Sequence, residues 1–361
     1  MSALPSTPAF YSARPVLLVD GADQPELADG VLSLMVEETT AGLYRCEITL
    51  GNWGAKGGEV GYLYLDRRLL DFGKALEVRM GVGETAATVF EGRITGLEGR
   101  FPQTRPPELT VLAEDRLQDL RMTRRTRSFE DVTDEAIFRQ VASDHNLTPR
   151  IDVDASVTHK AIAQVNQSDL AFLRERARAI DAEVWVKGEE LRVASRGRRE
   201  GSEIALTYGQ RLREFSVLAD LAGQRTSVTV SGWDVAAKEP IDVRVDDAAI
   251  RSELEGEVAG GPLLRQAFGE RAEQIVHHAP ASDQEARAIA EAYYRRAARR
   301  FVTGRGTSEG DGRLTVGSKV VLSGLDPIFN GAYDVVEARH LFDEAQGYRT
   351  EFRVERPWLG V

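Results

Sequence analysis

Apolar and polar residues alternate along most of the first third of the sequence, between Pro15 and Arg116. Stretches such as LSLMVEETT, YRCEITL and PELTVLAED keep a period of two residues, and glycine or proline turns separate them. Side chains of a β-strand point alternately to the two faces of its sheet, so this period predicts short antiparallel strands with one buried face. Many such strands at close spacing predict a β-barrel or a β-sandwich.

After Asp115 the apolar residues recur at helical spacing instead. Thr133 and Ser168 are the predicted N-caps of two helices, because each precedes an amphipathic segment. The stretch EVWVKGEELRV then predicts a hairpin about a Lys187-Gly188 turn. The arginine-rich stretch RMTRRTR before the first helix is interpreted as a linker that pairs with acidic partners. Together these features predict a small α+β insert.

Strand patterns return near residue 204, but residues 235–281 are polar, contain glycine and show weak periodicity. This long excursion has too few apolar residues in any one register to build a core. We therefore expect it to become ordered mainly against a neighbouring protein. The stretch SDQEARAIAEAYYRRAARRF predicts a helix over 283–301, which opens with a capping box from Ser282 to Glu285.

The two β-rich parts resemble each other. Phe90 and Leu109 are nineteen residues apart, as are Phe329 and Tyr348, and each phenylalanine begins a Phe-x-Gly motif followed by two strands. Two unrelated β-meanders could share this spacing. If this similarity reflects a shared fold, the fold class is mainly β with an α+β insertion, in which two similar antiparallel β-barrel domains flank a small helix-hairpin domain. The predicted domains are residues 1–116, 117–203 and 204–361.

Composition excludes several classes of function. A formal net charge of −11 argues against a dedicated nucleic-acid binder and against binding to anionic lipid. The single cysteine, Cys46, lies in an alternating stretch and is expected to be a buried thiol in a reducing compartment. The N-terminus has no signal-peptide pattern and no apolar run is long enough to span a bilayer. These features predict cytoplasmic synthesis and no stable membrane insertion.

No motif for catalysis, cofactor binding or metal binding is evident. The five histidines lack metal-site spacing, and neither a nucleophile elbow nor a phosphate-binding loop is present. We therefore expect no catalytic residue, no cofactor and no metal, and no enzymatic activity. Two alternatives stay open: a cell-wall hydrolase, which needs a carboxylate pair, and a carbohydrate-binding β-protein, for which Trp53 and Tyr62 are the suggestive side chains.

Three stretches follow one another in a recognisable order: the helix-hairpin QSDLAFLRERARAIDAEVWVKGEELRV, the strand VTVSGWD, and the C-terminal FNGAYDVVEARHLFDEAQGYRTEFRVER. Together they resemble the phage late control D proteins, which include the hub part of VgrG-like spikes in type VI secretion. The motif residues in the last two stretches are Gly232, Trp233, Asp234, Phe329, Gly331, Tyr333, His340, Gly347, Tyr348 and Thr350.

The resemblance implies a structural baseplate hub of a contractile phage tail or a related injection system. Members of this family carry two tube-type β-barrel domains per chain, so a homotrimer presents a pseudo-sixfold ring that adapts the inner tube to the spike. The implied partners are further copies of this chain, an inner tube protein, a spike and other baseplate proteins. Because the sequence ends at Val361, just after the second β-rich part, we expect the spike to be a separate polypeptide. Assembly in the cytoplasm and then residence in a phage virion or injection particle would follow.

Overall fold

A computed structural model describes residues 14–360, apart from positions 155, 156, 236, 256, 257 and 279. Residues 1–13 of the predicted first domain and the terminal Val361 lie outside the described residues. The chain is mainly β with an α+β insertion, as the sequence predicts. The elements of the first part are β1 (Val16–Val19), β2 (Ala22–Asp23), α1 (Pro25–Asp29), β3 (Val31–Thr39), β4 (Arg45–Gly51), β5 (Trp53–Lys56), β6 (Glu59–Tyr62), β7 (Ala75–Met80), β8 (Ala87–Arg100) and β9 (Glu108–Glu114).

The first part encloses an apolar core, and buried and less buried residues alternate along its strands as the sequence predicts. In β9, for example, Leu109, Val111 and Ala113 are buried and face this core. The buried thiol of Cys46 belongs to the same core, which confirms its structural role. Phe342 and Tyr348, from the C-terminal part of the chain, complete the cluster.

The insert folds about a second core between its helices and a small sheet. Its elements are α2 (Leu117–Arg121), β10 (Arg124–Thr133), α3 (Asp134–Asp144), β11 (Thr148–Asp152), β12 (Thr158–Ser168), α4 (Asp169–Ala179), β13 (Ala182–Lys187) and β14 (Glu190–Ser195). Both predicted N-caps are confirmed, since Thr133 Oγ1 accepts the amide of Ala136 and Ser168 Oγ accepts the amide of Ala171, each at 3.2 Å. The predicted hairpin is β13 and β14, which turn at Gly188 with a φ of 57°.

The arginine-rich stretch is a strand and not a linker. Residues Arg124–Thr133 form β10, which pairs antiparallel with β12 and therefore has its backbone groups satisfied within the insert. The expected pairing with acidic partners is confirmed, because Arg127 contacts Asp144 at 2.6 Å and Asp169 at 3.0 Å. The many charged side chains of this strand are typical of a solvent-exposed linker, which is why the sequence pattern did not indicate a strand.

The last part contains two further cores. Its elements are β15 (Glu203–Thr207), β16 (Leu212–Ala219), β17 (Ser227–Asp234), β18 (Glu239–Val245), β19 (Val258–Ala259), α5 (Gly260–Phe268), β20 (Ala272–Ile275), α6 (Asp283–Arg299), β21 (Val302–Glu309), β22 (Lys319–Ser323), β23 (Gly331–Asp343), β24 (Gly347–Arg356) and β25 (Trp358–Leu359). One core lies among β15, β16 and β21–β24, and the other lies between α6 and the sheet β18-β17-β20. The predicted helix ends two residues early, at Arg299.

The expectation that residues 235–281 have too few apolar residues to build a core is wrong. Ile241, Val243 and Val245 alternate along β18 and are buried with Ile275 of β20 in the core that α6 covers. Three apolar residues per strand are enough here because β17 and α6, outside the segment, supply the rest of the core. The described residues of the segment therefore form strands and the helix α5 and pack against their own chain. That the segment becomes ordered mainly against a neighbouring protein stays a prediction.

Among the described residues, strands of both β-rich parts belong to one thirteen-stranded sheet. Its order is β16-β21-β24-β23-β3-β4-β9-β8-β7-β1-β2, and β22 and β15 branch from β23. The pairing of β23 with β3 joins the two parts, with His340 opposite Val36. No closed barrel is found among the described strands, so the two-barrel description is not confirmed.

The predicted similarity between the two β-rich parts agrees with the structure in strand order but not in the positions of the shared phenylalanines. β7-β8-β9 and β22-β23-β24 are both antiparallel meanders with the same strand order. The shared phenylalanines are not equivalent, however, because Phe90 lies inside β8 whereas Phe329 lies in a 3-10 turn before β23.

Candidate functional site

Three of the predicted motif residues meet in a buried polar cluster at the junction of the two sheet halves. His340 of β23 is fully buried, with its Nδ1 2.8 Å from the hydroxyl of Tyr348 and 3.5 Å from Oγ1 of Thr350, both on β24. Burial lowers the pKa of His340 to about 4 and raises the pKa of Tyr348. Both side chains are therefore neutral at pH 7 and act as hydrogen-bonding core residues. Gly347 supplies the turn between the two strands, with a φ of 69°.

The cluster continues to a buried carboxylate. The amide of Asp311 donates to Oγ1 of Thr350 at 3.1 Å, and its carboxylate accepts from Arg211 and Arg313, each at 2.7 Å. Burial opposes ionisation of Asp311, but hydrogen bonds from Arg313 and Arg211 lower its pKa overall. The arrangement links the segment after β21 to β23 and β24.

Phe329, Gly331 and Tyr333 form a second group around Arg356, which sequence reasoning did not single out. The hydroxyl of Tyr333 donates to the carbonyl oxygen of Phe329 at 2.8 Å. The Arg356 guanidinium lies between two rings, 4.2 Å from Tyr333 and 3.9 Å from Trp358. It also donates to the backbone carbonyls of residues 330 and 328, at 2.8 and 2.7 Å. These bonds hold the turn that precedes β23.

Gly331 is required at this turn for a steric reason. Its φ is 115°, and a Cβ added there would lie 2.9 Å from the Trp358 ring. The signal that could have pointed to Arg356 is its position between Val354 and Trp358 at the end of a strand, since an arginine flanked by buried residues needs partners.

Gly232, Trp233 and Asp234 lie apart from both groups, at the end of β17 where it turns into β18. A Cβ at Gly232 would lie 2.7 Å from Pro280, and Oδ1 of Asp234 accepts the amide of Ala237 at 2.9 Å. Trp233 is 53% exposed. The glycine and aspartate therefore shape the hairpin, while the tryptophan is available for contacts at the surface.

A polar cluster joins the insert to α6. His159 of β12 lies 3.0 Å from Asp134 at the start of α3 and 3.2 Å from Glu285 in the first turn of α6, and Arg176 of α4 contacts Asp134 at 2.6 Å. The hydrogen bond to Asp134 and the adjacent carboxylate of Glu285 raise the pKa of His159 to about 9, against the effect of burial. The charged imidazole therefore bridges two carboxylates that belong to different cores.

A buried carboxyl group lines a cleft of about 750 Å³ between the first sheet and the insert. Glu38 accepts the amide of Val316 at 3.1 Å, and burial raises the pKa of Glu38 to about 7. On the other side of the cleft Arg199 stacks on Trp185 at 4.3 Å and donates to the hydroxyl of Tyr44 at 2.6 Å. The Glu38 carboxyl, the Arg199 guanidinium and the Tyr44 hydroxyl therefore each have a partner within the chain.

The strongest candidate interaction surface is the isolated hairpin β5-β6. Trp53 and Tyr62 pair across it and pack edge to face at 5.2 Å, and Phe101 packs on Tyr62 at 5.9 Å. These rings are 46%, 46% and 61% exposed, and Val60 on the same face is 67% exposed. A contiguous exposed apolar group of this kind is typical of a surface that contacts another molecule.

Sequence reasoning named Trp53 and Tyr62 but missed Phe101, which lies far along the chain. Within the described part of the chain, no group of three or more His, Cys, Asp and Glu side chains could hold a metal ion. The described helices also include none that is long and apolar enough to cross a membrane.

Solved structures of phage tail proteins have a fold similar to that of this chain. The 43 kDa tail protein of prophage MuSo2 from Shewanella oneidensis has a TM-score of 0.70 at 13% identity, and the match covers 95% of this chain and 98% of that one. A tail protein of Neisseria meningitidis MC58 has a TM-score of 0.67 at 11% identity, with 96% and 98% covered.

A component of the E. coli type VI secretion system has a TM-score of 0.53 at 13% identity, with 94% of this chain and 76% of that chain covered. It is described as similar in structure to the bacteriophage T4 tail proteins gp27 and gp5. The resemblance to tail and injection-system proteins that the motifs indicated is thus confirmed in the fold.

At the level of sequence, no curated protein matches the chain. One family model, described as the Alg8 N-terminal domain, matches residues 14–344, and the motifs above did not lead to it. Because this match spans most of the chain, the protein belongs to the family of the Alg8 N-terminal domain.

Proposed function

We propose that this protein is a structural hub subunit in the baseplate of a contractile phage tail or a related injection system. The observation that supports this most is the fold match to the Shewanella tail protein, which covers 95% of this chain and 98% of that one. The buried motif residues, which hold strands and turns together, fit a structural and non-catalytic role.

In this proposal three copies of the chain form a ring with pseudo-sixfold symmetry. The meanders β7-β8-β9 and β22-β23-β24 have the same strand order, so each chain offers two similar meanders and three chains offer six. The division into residues 1–116, 117–203 and 204–361, with tube-type barrels in the outer two, belongs to the same proposal. Ring closure also protects sheet edges such as β16, which pairs on one side only within the described residues.

The ring would adapt the inner tube to a spike on a separate polypeptide and contact other baseplate proteins. It would assemble in the cytoplasm and end in a virion or injection particle. Multi-angle light scattering on the purified chain, with and without a candidate spike protein, tests the proposal. A trimer in either sample is expected, and a stable dimer or tetramer in both would contradict it.

A second candidate function, carbohydrate binding, is favoured by the exposed rings of Trp53, Tyr62 and Phe101. Sugar rings stack on exposed aromatic faces, so a glycan ligand would lose affinity in a Trp53→Ala variant. Pull-down with peptidoglycan and with soluble glycans checks this, and binding that survives in the variant would remove the candidate. The same incubation tests for hydrolysis: we expect no soluble fragments, and fragments that disappear on substitution of one carboxylate would identify an enzyme.

A further inference from the structure

Six arginines and three carboxylates line one cleft of about 170 Å³ where α4, α6 and the central sheet meet. The arginines are Arg174, Arg178, Arg196, Arg296, Arg299 and Arg300, and the carboxylates are Asp181, Glu183 and Glu355. All three carboxylates are already in ion pairs, which are Asp181–Arg299, Glu183–Arg199 and Glu355–Arg196. The cleft therefore holds a surplus of positive charge in a chain whose net charge is −11.

The other four arginines make no ion pair within the described residues. Arg174 donates to the backbone carbonyls of residues 41 and 42, at 2.6 and 3.1 Å, and Arg296 donates to the carbonyl oxygen of Arg178. Arg178 and Arg300 are exposed. Most arginines elsewhere in the described chain have a carboxylate within 4.0 Å, so this group departs from the rest of the molecule.

Position at helix ends does not account for the group. Cations stabilise a helix C-terminus, and Arg178 and Arg296 do lie near the ends of α4 and α6. That effect would hold equally well if the two helix ends pointed apart. Here they converge, and burial together with the nearby charge of Arg178 lowers the pKa of both Arg174 and Arg296. Repulsion between these cations opposes the arrangement, and a bound anion would relieve it.

The cationic cleft opens into a larger one of about 810 Å³ between α4 and α6. Arg174, Arg178 and Arg296 line both, while the larger cleft adds apolar side chains that include Ala171 and Ile289. It also adds two carboxylates, of which Glu175 accepts from Gln167 and Glu285 is paired with His159. Its one aromatic side chain besides histidine, Tyr293, already donates to Glu273 at 2.6 Å. Stacking of nucleic-acid bases would need free aromatic faces. A groove with an apolar wall and a cationic end instead fits a peptide with both apolar and acidic residues.

We propose that this groove binds an acidic segment of a partner protein, with carboxylates at Arg174, Arg178, Arg296 and Arg300 and apolar side chains between α4 and α6. This inference does not depend on the proposed hub function, because it follows from the charges and shape of the groove alone.

Fluorescence anisotropy on the full chain tests the groove with a labelled 18-residue probe peptide of Glu-Glu-Leu repeats. The double variant Arg178→Glu/Arg300→Glu reverses two exposed charges that hold no other element in place. We expect it to weaken binding about tenfold or more, and we expect the matched peptide of Gln-Gln-Leu repeats not to bind. The control is Arg287→Glu/Arg251→Glu, which makes the same charge change at exposed arginines outside the groove.

Three results would overturn the proposal. One is the absence of peptide binding at about 1 mM, which corresponds to only about 4 kcal/mol of binding free energy. Another is an equal loss of affinity in the control variant, which would indicate nonspecific charge attraction. The third is tighter binding of a 20-base-pair DNA duplex that depends on Arg178 and Arg300, which would assign the groove to nucleic acid.

Discussion

The bridge at His159 predicts a pH-dependent link between the insert and α6. The imidazole side chain is 3% exposed, and its hydrogen bond to Asp134 together with the adjacent carboxylate of Glu285 raises its pKa from the ordinary 6.5 to about 9. A shift of this size corresponds to about 3 kcal/mol of folding free energy. Because the folded-state pKa is raised, this contribution is fully present below pH 6.5 and is lost as the pH rises through 9.

The perturbation is His159→Gln, which keeps a polar side chain but removes the charge. Urea denaturation of both proteins at pH 6 and at pH 10 gives the difference in unfolding free energy at each pH. We expect the variant to be less stable by about 3 kcal/mol at pH 6 and by about 1 kcal/mol or less at pH 10. Taking this difference cancels the titration of groups other than His159, since both proteins share them.

The matched control is His277→Gln, since that histidine is exposed and its loss should change stability by about 0.5 kcal/mol or less. A His159→Gln destabilisation that is equal at pH 6 and pH 10 would refute the reasoning. It would mean that the histidine contributes by packing and hydrogen bonding in its neutral form.

Three further predictions concern the cores. Glu38→Gln should raise the unfolding free energy at pH 8 by about 3 kcal/mol and have little effect at pH 4.5. The reason is that the buried carboxyl of Glu38 ionises as the pH rises from 4.5 through about 7, which lowers the unfolding free energy of the unsubstituted protein. An equal gain at both pH values in urea denaturation would contradict this. Gly92→Ala should cost about 1–3 kcal/mol, since the added Cβ would lie 2.3 Å from a backbone carbonyl oxygen, whereas Gly51→Ala meets no atom within 4 Å, and equal melting temperatures for the two would be evidence against the steric argument. Arg356→Met should cost about 3 kcal/mol through lost hydrogen bonds and ring contacts, against about 0.5 kcal/mol for Arg353→Met, whose side chain is 62% exposed; similar costs in chemical denaturation would argue that the ring contacts contribute nothing.

Features that depend on neighbouring residues were predictable from the sequence. Thr133 and Ser168 cap helices as predicted because capping uses groups three residues away, and the hairpin at Gly188 follows from its own turn residue. The general class, mainly β with an α+β insertion, follows from the same local periods.

Features that depend on distant partners were not predictable. The alternation of Ile241 and Val243 shows one half of a core, but the helix that covers them lies elsewhere in the sequence, so the segment appeared unable to fold. His159 and Glu285 become partners only when α6 packs on the insert. Thr350 and Tyr333 contact Asp311 and Arg356 because β21, β23 and β24 pair with one another, and periodicity along the sequence does not specify that pairing.

The pairing of β23 with β3 has a consequence for how the chain is made. His340 lies opposite Val36, about 300 residues earlier, and Phe342 completes the core of the first part. At a synthesis rate of about 5–20 residues per second, the ribosome needs roughly 15–60 seconds to supply the missing strand. During that time β3 has an open edge and the first core lacks two of its aromatic side chains. Co-translational folding therefore cannot finish the N-terminal part first, and the nascent chain depends on protection of that edge until its last strands emerge.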